Sequence, residues 1–245
     1  MALRERLKKA LDDLEQEGIV AQMTEPTPWV SSILAVEKSD KRLRICLDPK
    51  DLNAAIQRSH YPMPTIEDIL PDLHKTWIYS VVDARNGFWH VQLDEASSRL
   101  TCFNTPYGRY VWKRMPFGIS SAPEEYQRRQ DQVLEGLNGI HSVADDILIC
   151  GKGDTYDDAV IDHNRNLTNL MQRCKEKGLK INKSKVKLGL EEVKFMGHTI
   201  TKDGLKPDEE KVAAVKNMPT PESKSDVRRF IGFVNYLSKF IPGLS

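Results

Sequence analysis

The chain has 245 residues, long enough for one large domain or two small ones. Hydrophobic residues make up 40% of it, which is enough to build a core. The formal net charge of +1 excludes a globally basic surface, so any binding of nucleic acid must depend on local patches. Such a patch lies between Met171 and Lys187, with seven basic side chains and one acid, although a solvated helix end and loop would have the same composition.

The cysteines and the N-terminal residues exclude several classes of protein. Cys46, Cys102, Cys150 and Cys174 are far apart and have no Cys or His at zinc-finger spacing. Neither a metal knot nor a disulfide framework is therefore indicated, and a reducing compartment is expected. Nothing near Met1 resembles a signal peptide, and no apolar stretch is long enough to span a bilayer, so the sequence predicts a soluble protein that is not secreted.

The first third of the chain predicts one helix and one hairpin, followed by shorter pieces. Apolar residues at helical spacing predict an amphipathic helix over Ala2–Glu17, which Gly18 ends. The segments Ser31–Val36 and Leu43–Leu47 flank a polar turn and predict a β-hairpin with a basic tip. Two short helical pieces follow, over Asp48–Asn53 and Thr65–Leu73.

The rest of the chain mixes strands and helices, which predicts an α+β core with helical ends. Predicted strands cover Trp77–Val82, Thr101–Asn104, Tyr110–Arg114 and two segments that flank Phe195–His198, with a turn at Asp203-Gly204. Predicted helices cover about Pro123–Glu135, Asp154 to Gly178, Pro207–Asn217 and Glu222–Phe240.

Two adjacent aspartates, Asp145 and Asp146, interrupt the apolar run Ile140–Cys150. Burying two unpaired carboxylates costs on the order of several kcal/mol each, so they need a compensating partner, and a divalent cation is the natural candidate. Aspartate pairs also cap helices or occupy solvated turns. The continuous apolar run Ile147–Cys150, closed by Gly151, favours a hairpin with the acids near its turn.

A third acid, Asp83, also lies at the end of an apolar segment. The predicted strand Trp77–Val82 ends directly on Asp83, so two paired strands would present Asp83, Asp145 and Asp146 at one edge. Ligation by oxygen alone suits Mg²⁺ or Mn²⁺ better than zinc. Metals held in this way clamp the attacking and leaving oxygens in phosphoryl transfer.

Several short strings in a fixed order carry a resemblance to a known family. They are Trp29-Val30-Ser31-Ser32, Arg44-Ile45-Cys46-Leu47-Asp48, Leu52-Asn53, Tyr61-Pro62-Met63-Pro64, Met115-Pro116-Phe117-Gly118, Phe195-Met196-Gly197-His198, Phe230-Ile231-Gly232 and Tyr236. With the three aspartates, they cover nearly the whole chain. The sequence resembles the reverse transcriptases of gypsy-like long-terminal-repeat retrotransposons.

The resemblance implies a right-hand polymerase fold with fingers, a palm carrying an antiparallel sheet, and a short helical thumb. Residues 1–23 would form a helix leading into the fingers, 24–204 the interleaved fingers and palm, and 205–245 the thumb-like segment. It also implies RNA-directed DNA synthesis, in which Asp83, Asp145, Asp146 and the backbone carbonyl of Ala84 hold two Mg²⁺ ions that Mn²⁺ can replace.

The same resemblance assigns roles around these acids. Lys38, Arg44, Phe88, Phe117 and Gly118 would bind the deoxynucleoside triphosphate, with Phe88 crowding the sugar 2′-carbon. The residues alone leave a structural alternative for each of them. Lys38 and Arg44 would also suit a solvated hairpin tip, Phe88 a core position, and Phe117-Gly118 a tight core turn.

The remaining assigned residues would contact the nucleic acid. Phe195, Met196, Gly197 and His198 would form the primer grip, although an ordinary strand with a bulge glycine would look the same. Lys180, Lys183 and Lys185 would contact the backbone of the template-primer duplex.

The sequence departs from the family pattern at three positions. Val143 replaces the tyrosine that is usual two residues before the first paired aspartate, a change that could alter fidelity or affinity without removing a metal ligand. Pro49 and Val186 also replace usual residues, and both are tolerable structural variation.

The resemblance further implies partners and leaves alternatives open. The chain would be one piece of a Pol polyprotein, because nothing in it resembles the ribonuclease H, integrase or aspartic protease that such a polyprotein carries. The family also implies a cytoplasmic particle. One alternative is a catalytically silent, host-adopted domain that only binds template-primer. Another is a nucleotide cyclase on a related palm, which the fingers and primer-grip strings disfavour.

Overall fold

The computed structural model describes residues 2–37, 41–58 and 60–241. These residues fall into two compact units, each built from three segments of the chain. Unit 1 comprises residues 1–63, 84–135 and 173–181, and unit 2 comprises residues 64–83, 136–172 and 182–245. Within the described ranges, no helix is both long enough and apolar enough to cross a membrane.

Helices and antiparallel strands alternate along the chain, as the sequence predicts. The helices are α1 (Ala2–Gln16), α2 (Lys50–Ala55), α3 (Ile66–Ile69), α4 (Glu95–Leu100), α5 (Ala122–Leu134), α6 (Tyr156–Lys177), α7 (Glu209–Lys216) and α8 (Lys224–Ser238). The strands are β1 (Val20–Gln22), β2 (Ser32–Glu37), β3 (Leu43–Asp48), β4 (Thr76–Asp83), β5 (Phe103–Thr105), β6 (Gly108–Trp112), β7 (Ile140–Val143), β8 (Asp146–Lys152), β9 (Lys187–Leu190), β10 (Glu192–Phe195), β11 (His198–Thr201) and β12 (Gly204–Pro207).

Unit 1 is built on a small sheet and a hairpin. Its sheet has the order β1-β6-β5, and β2 pairs with β3 in a separate antiparallel hairpin. The apolar face of α1 places Leu11 and Leu14 in a core that contains Phe103, Tyr110 and Trp112. The centre of the Phe103 ring lies 5.9 Å from that of Tyr110 and 5.8 Å from that of Trp112. The opening helix therefore forms because its apolar stripe covers an aromatic sheet.

Unit 2 is built around a four-stranded antiparallel sheet with the order β7-β8-β4-β9. The central strands β4 and β8 are buried along nearly their whole length, which explains their continuous apolar sequences. A second sheet, β10-β11-β12, contributes Val193, Phe195 and Ile200 to the same core. Both predicted strands of the aspartate hairpin are confirmed.

Helix α6 is fixed to the four-stranded sheet by polar contacts. The Nε2 of the buried His163 lies 2.7 Å from Ser80 Oγ, and this hydroxyl also accepts a hydrogen bond from Gly189 N. Asn166 Nδ2 donates to the carbonyl of Cys150 at 2.9 Å. A Cβ added at Gly151 would lie 2.3 Å from Ala159 O, so the helix can approach β8 this closely only because residue 151 is glycine.

Several predicted boundaries are wrong by one to three residues, and some elements are missed. The strands predicted over Thr101–Asn104 and Tyr110–Arg114 lie at 103–105 and 108–112. Helix α4 is missed because its sequence lacks an apolar period; it begins at the capping side chain of Asp94, which accepts from Ser97 N. Strand β9 is missed because all four of its residues are exposed, which leaves no alternation to detect.

Half-buried histidines predict a loss of stability at mildly acidic pH. Burial lowers the pKa of His141 and of His90 from the ordinary value of 6.5. The unfolded chain therefore binds more protons than the folded chain below pH 6.5, and the free energy of unfolding decreases as the pH falls from there. Thermal melts between pH 7 and pH 5 should show a falling midpoint, and His141→Gln should reduce that fall. An equal pH dependence in the variant would contradict this origin.

Candidate active site

The three predicted acids all belong to unit 2, at one end of its central strand pair. Asp83 is the last residue of β4 and is the register partner of Asp146, the first residue of β8. Val143 pairs with Asp146 across β7 and β8, so Ala144 and Asp145 form the loop of the hairpin. Ala144 has a φ of 51°, a left-handed conformation that costs a non-glycine residue about 1–2 kcal/mol. The predicted placement of acids at a hairpin turn is confirmed.

The carboxylate of Asp83 is largely buried and already has two partners. Its Oδ2 accepts a hydrogen bond from Lys185 Nζ at 2.6 Å, and its Oδ1 accepts one from Asn182 Nδ2 at 3.3 Å. The backbone is fixed as well, since Asn182 N donates to the carbonyl of Asp83 at 2.8 Å. The hydrogen bond with Asp83 raises the pKa of Lys185, so this ammonium stays charged. The sequence analysis assigned Lys185 to the nucleic-acid backbone, and it predicted neither the contact of Lys185 with Asp83 nor that of Asn182.

Asp146 is exposed as a residue, yet its carboxyl lies in a crowded electrostatic setting. Loss of hydration raises its pKa, and the charge of Asp83 raises it further, whereas Lys185 and Lys187 lower it. The two strand-end carboxylates therefore repel each other, and the neighbouring lysines act against that repulsion. A cation bound at this edge would also act against it.

The donor chemistry of this edge fits a divalent cation, although the acids do not form a closed cage. Among the described residues, no group of three His, Cys, Asp or Glu side chains converges as a metal site. The Asp83 carboxylate contacts the ammonium of Lys185 instead, which supplies one positive charge. Carboxylate oxygens are nevertheless the ligands that Mg²⁺ and Mn²⁺ prefer. The role of the Ala84 carbonyl stays a prediction; Ala84 forms an isolated bridge with Ile181 in unit 1.

Three of the residues predicted to bind nucleotide come together in unit 1. The guanidinium of Arg44 lies 4.9 Å from the centre of the Phe117 ring, and the rings of Phe88 and Phe117 lie 5.0 Å apart. Phe88 also contacts Tyr126 edge-on at 5.7 Å. The aromatic group holds the Arg44 side chain by a cation–π contact. Lys38, the fourth predicted side chain, lies outside the described residues.

Gly118 is fixed by a close approach to the backbone of β3. Its φ is +109°, and a Cβ at this position would lie 1.9 Å from Leu47 O. Leu47 N donates to the carbonyl of Phe117, and the side chain of Asn53 donates to Gly118 O and accepts from Ser120 N. The tight-turn interpretation therefore explains why residue 118 is glycine, whether or not nucleotide binds there.

The residues predicted as the primer grip form a hairpin between β10 and β11. Phe195 pairs with His198, and Met196 and Gly197 both have positive φ, of 50° and 74°, as a type I′ turn requires. His198 is buried and stacks on Tyr236 of α8 at 5.2 Å. Tyr236 Oη donates to Gly197 O at 2.9 Å and accepts from Asp208 N. The turn is thereby fixed to α8, a contact that the sequence did not reveal.

The two other lysines predicted to contact nucleic acid are exposed. Lys183 lies in the 3₁₀ turn Lys183–Lys185 of unit 2, and Lys180 belongs to unit 1. Lys180 N donates to His90 Nε2 at 2.9 Å, so its backbone is fixed while its side chain is free to reach a ligand.

Comparison with known proteins identifies the family. Residues 36–200 match the family described as reverse transcriptase (RNA-dependent DNA polymerase). The Pol polyprotein of transposon 412 from Drosophila melanogaster is 30% identical over 99% of this chain. The transposon Tf2-3 polyprotein of Schizosaccharomyces pombe is 28% identical over 97% of it. The chain spans 19% and 18% of those relatives. It belongs to the reverse transcriptase family.

Solved structures confirm the predicted fold. A foamy viral protease-reverse transcriptase in complex with double-stranded DNA matches 98% of this chain, and 41% of its own, with a TM-score of 0.87 and 24% identity. The same enzyme in complex with an RNA/DNA hybrid matches 97% of this chain, and 31% of its own, with a TM-score of 0.81. The chain therefore has the right-hand polymerase fold. The relatives fit a long-terminal-repeat retrotransposon, whereas the gypsy-like assignment stays a prediction.

The Gly118 contact predicts a large loss of stability on substitution. Gly118→Ala should cost at least about 3 kcal/mol, because a left-handed φ and a clash with the Leu47 backbone act together. Gly108 is a matched control, since it has the same φ of +109° and nothing within 4 Å of an added Cβ. Gly108→Ala should cost only about 1–2 kcal/mol in urea denaturation. Equal losses in the two variants would contradict the clash.

The Lys185–Asp83 ion pair predicts an effect on cation binding. Lys185→Gln should lower the stability of the metal-free protein by about 1 kcal/mol, because Lys185 is largely exposed and the pair is partly screened. The same variant should bind Mn²⁺ more tightly, since a competing positive charge is removed. Electron paramagnetic resonance of free Mn²⁺ measures this affinity. The matched control is Lys183→Gln, which should bind Mn²⁺ as the parent chain does, and weaker binding by Lys185→Gln would reject the competition.

Proposed function

We propose that this chain is the polymerase part of a transposon Pol polyprotein and catalyses RNA-directed DNA synthesis. The observation that carries the proposal is the pairing of Asp83 with Asp146 at the end of β4 and β8, with Asp145 in the adjoining loop. All three acids lie within the region that matches the reverse transcriptase family. The reaction adds a deoxynucleotide to a primer 3′-hydroxyl and releases pyrophosphate.

The acids would hold Mg²⁺ or Mn²⁺. When bound, two such ions supply charge neutralisation of the triphosphate and activation of the primer hydroxyl. Asp83 would contribute its carboxylate after Lys185 moves away, while Asn182 keeps the backbone of Asp83 in place. Asp146 is exposed and its pKa is raised by local burial, so a bound cation would favour its ionised form.

The nucleotide would be bound by the residues that the family resemblance assigns. Arg44 presents a planar guanidinium that can form two hydrogen bonds with a phosphate, and its packing on Phe117 reduces the cost of ordering it. Phe88 is held between Phe117 and Tyr126, which suits a side chain that must exclude a 2′-hydroxyl by its position. Lys38 and Gly118 belong to the same proposal.

The template-primer would be bound through its backbone. Double-stranded DNA and an RNA/DNA hybrid are the ligands of the foamy viral enzymes with the same fold, and we extend this ligand class to the present chain. Phosphate contacts position a duplex without reading its sequence, which suits the exposed Lys183 and the turn at Met196-Gly197. The rest of a polyprotein and an intracellular, cytoplasmic particle belong to this proposal as family expectations.

A silent template-primer-binding domain is the second candidate. The observation that favours it is the Lys185–Asp83 ion pair, because a permanent pair would keep Asp83 from a metal. The intact acids favour the polymerase. The two candidates differ in product formation, while both bind duplex.

Primer extension separates the two candidates. With a labelled DNA primer on an RNA template, deoxynucleotides and Mg²⁺ or Mn²⁺, the chain should extend the primer, and Asp145→Asn should reduce the rate at least about 100-fold by removing a metal ligand. Asp157→Asn makes the same chemical change at an exposed position of α6 and should retain the parent rate. Tight duplex binding without extension by the parent chain would establish the silent domain instead.

A further inference from the structure

A cavity of about 880 Å³ lies in unit 1, apart from every residue assigned to nucleotide or metal. Its wall includes Trp89 and His90 of the 3₁₀ turn Gly87–His90, the C-terminal half of α5 and the segment that follows α6. Arg44, Phe88, Phe117 and Gly118 do not line it. Lys180, which the family resemblance assigns to the nucleic-acid backbone, lines the cavity, but the proposed polymerase function gives no role to the rest of its wall.

The charge of the wall is strongly unbalanced. Five lining residues are cationic and one is acidic, namely Arg85, Arg114, Arg129, Lys177, Lys180 and Glu17. Arg129 is paired with Glu125 on α5. Among the described residues, the side chains of the other four cations have no hydrogen bond or ion pair. These four cations outnumber the one acid of the wall, Glu17, and an excess of positive charge around one concave space favours an anionic ligand.

Two polar groups in the same wall are also unsatisfied. Gln130 is 3% exposed, and neither its Nε2 nor its Oε1 has a hydrogen-bond partner. The indole Nε1 of Trp89 is likewise buried without a partner. Buried polar groups are nearly always hydrogen-bonded in native proteins, so these orphans indicate a ligand or water within reach of the wall.

The rim of the cavity is held rigid by His90. Its Nδ1 donates to Gly87 O at 3.0 Å and its Nε2 accepts from Lys180 N at 2.9 Å, which requires the neutral ring. Burial lowers the pKa of His90, and the charges of Lys180 and Arg114 lower it further. A neutral histidine beside two cations is a sign of the positive potential in the cavity.

We propose that this cavity is a second anion site, which binds a small polyphosphate without a divalent metal. The ligand is inorganic pyrophosphate or the phosphate chain of a nucleotide. Arg114 and Lys177 would contact the phosphate oxygens by charge-assisted hydrogen bonds. Trp89 and the amide of Gln130 would supply an apolar surface and hydrogen-bonding groups beside them.

The size and shape of the cavity favour a small ligand over a nucleic-acid strand. Small-molecule sites typically measure about 300–1,000 Å³, and this cavity lies within that range. A strand would need cations spaced along an open surface, whereas these cations surround one concavity.

Isothermal titration calorimetry in excess EDTA tests the site. Pyrophosphate, tripolyphosphate and ATP are titrated separately, and at least one should bind. The EDTA excludes nucleotide held through a metal at Asp83, Asp145 and Asp146, so failure here is distinguishable from failure of the polymerase proposal. Tighter binding of ATP than of tripolyphosphate would identify a nucleotide, and equal binding would identify the phosphate chain alone.

Matched variants locate the binding. Arg114→Gln and Lys177→Gln should each weaken it about tenfold, the effect of losing one charge-assisted hydrogen bond. Lys113→Gln removes an equal charge from an exposed neighbour outside the cavity and should leave the affinity unchanged. Lys177 is exposed at the end of α6, so its variant keeps the test valid if Arg114→Gln fails to fold.

Two results would overturn the proposal. The first is no binding of any of the three compounds in EDTA; if a single-stranded oligonucleotide titrated in the same way binds instead, the cavity is part of a strand-binding surface. The second is binding that is lost in Arg44→Gln and retained in Arg114→Gln and Lys177→Gln, which would assign it to the predicted triphosphate site.

Discussion

The antiparallel pairing of β4 with β8 is the interaction on which the candidate active site depends. The register that places Val82 opposite Ile147 also places Asp83 opposite Asp146, because the acids are the next residues at the end of the same ladder. A slip of one residue would exchange the side chains that face the two covered sides of the sheet, so each would meet a packing surface built for its neighbour. The burial of Val82, Ile147, Leu148 and Ile149 therefore fixes the acids as firmly as it fixes the core.

The carboxylates of Asp83 and Asp146 repel each other at the end of this ladder, and neighbouring residues reduce that repulsion. Asp83 is neutralised by Lys185 and held by Asn182, and both residues come from the segment that leads into β9. Loss of hydration and the charge of Asp83 together raise the pKa of Asp146. Gly189 of β9, which follows this segment, donates to Ser80 of β4, so the folding of β9 is coupled to the chemistry of the site.

In the described part of unit 1, several cationic side chains have no acidic partner. Arg44 is held on an aromatic ring, and the cavity below the Gly87–His90 turn keeps four cations without acidic partners. Uncompensated cations reduce stability unless an anion is bound, so such a cluster is expected where binding matters more than stability. Tyr126 lines the cavity and its ring contacts Phe88, so the cavity wall adjoins the residues assigned to nucleotide although none of those residues lines it.

The sequence by itself determined the class of fold, the existence of most elements and the three acids, because apolar periodicity and charges inside a buried run are local signals. It could not determine the contacts of Lys185 with Asp83, of Tyr236 with Gly197 or of Asn53 with Gly118, which join residues 102, 39 and 65 positions apart. It also could not locate the exposed strand β9 or the cationic cavity. Only the tertiary structure decided these features, since they depend on which side chains packing brings together and which charges it leaves unpaired.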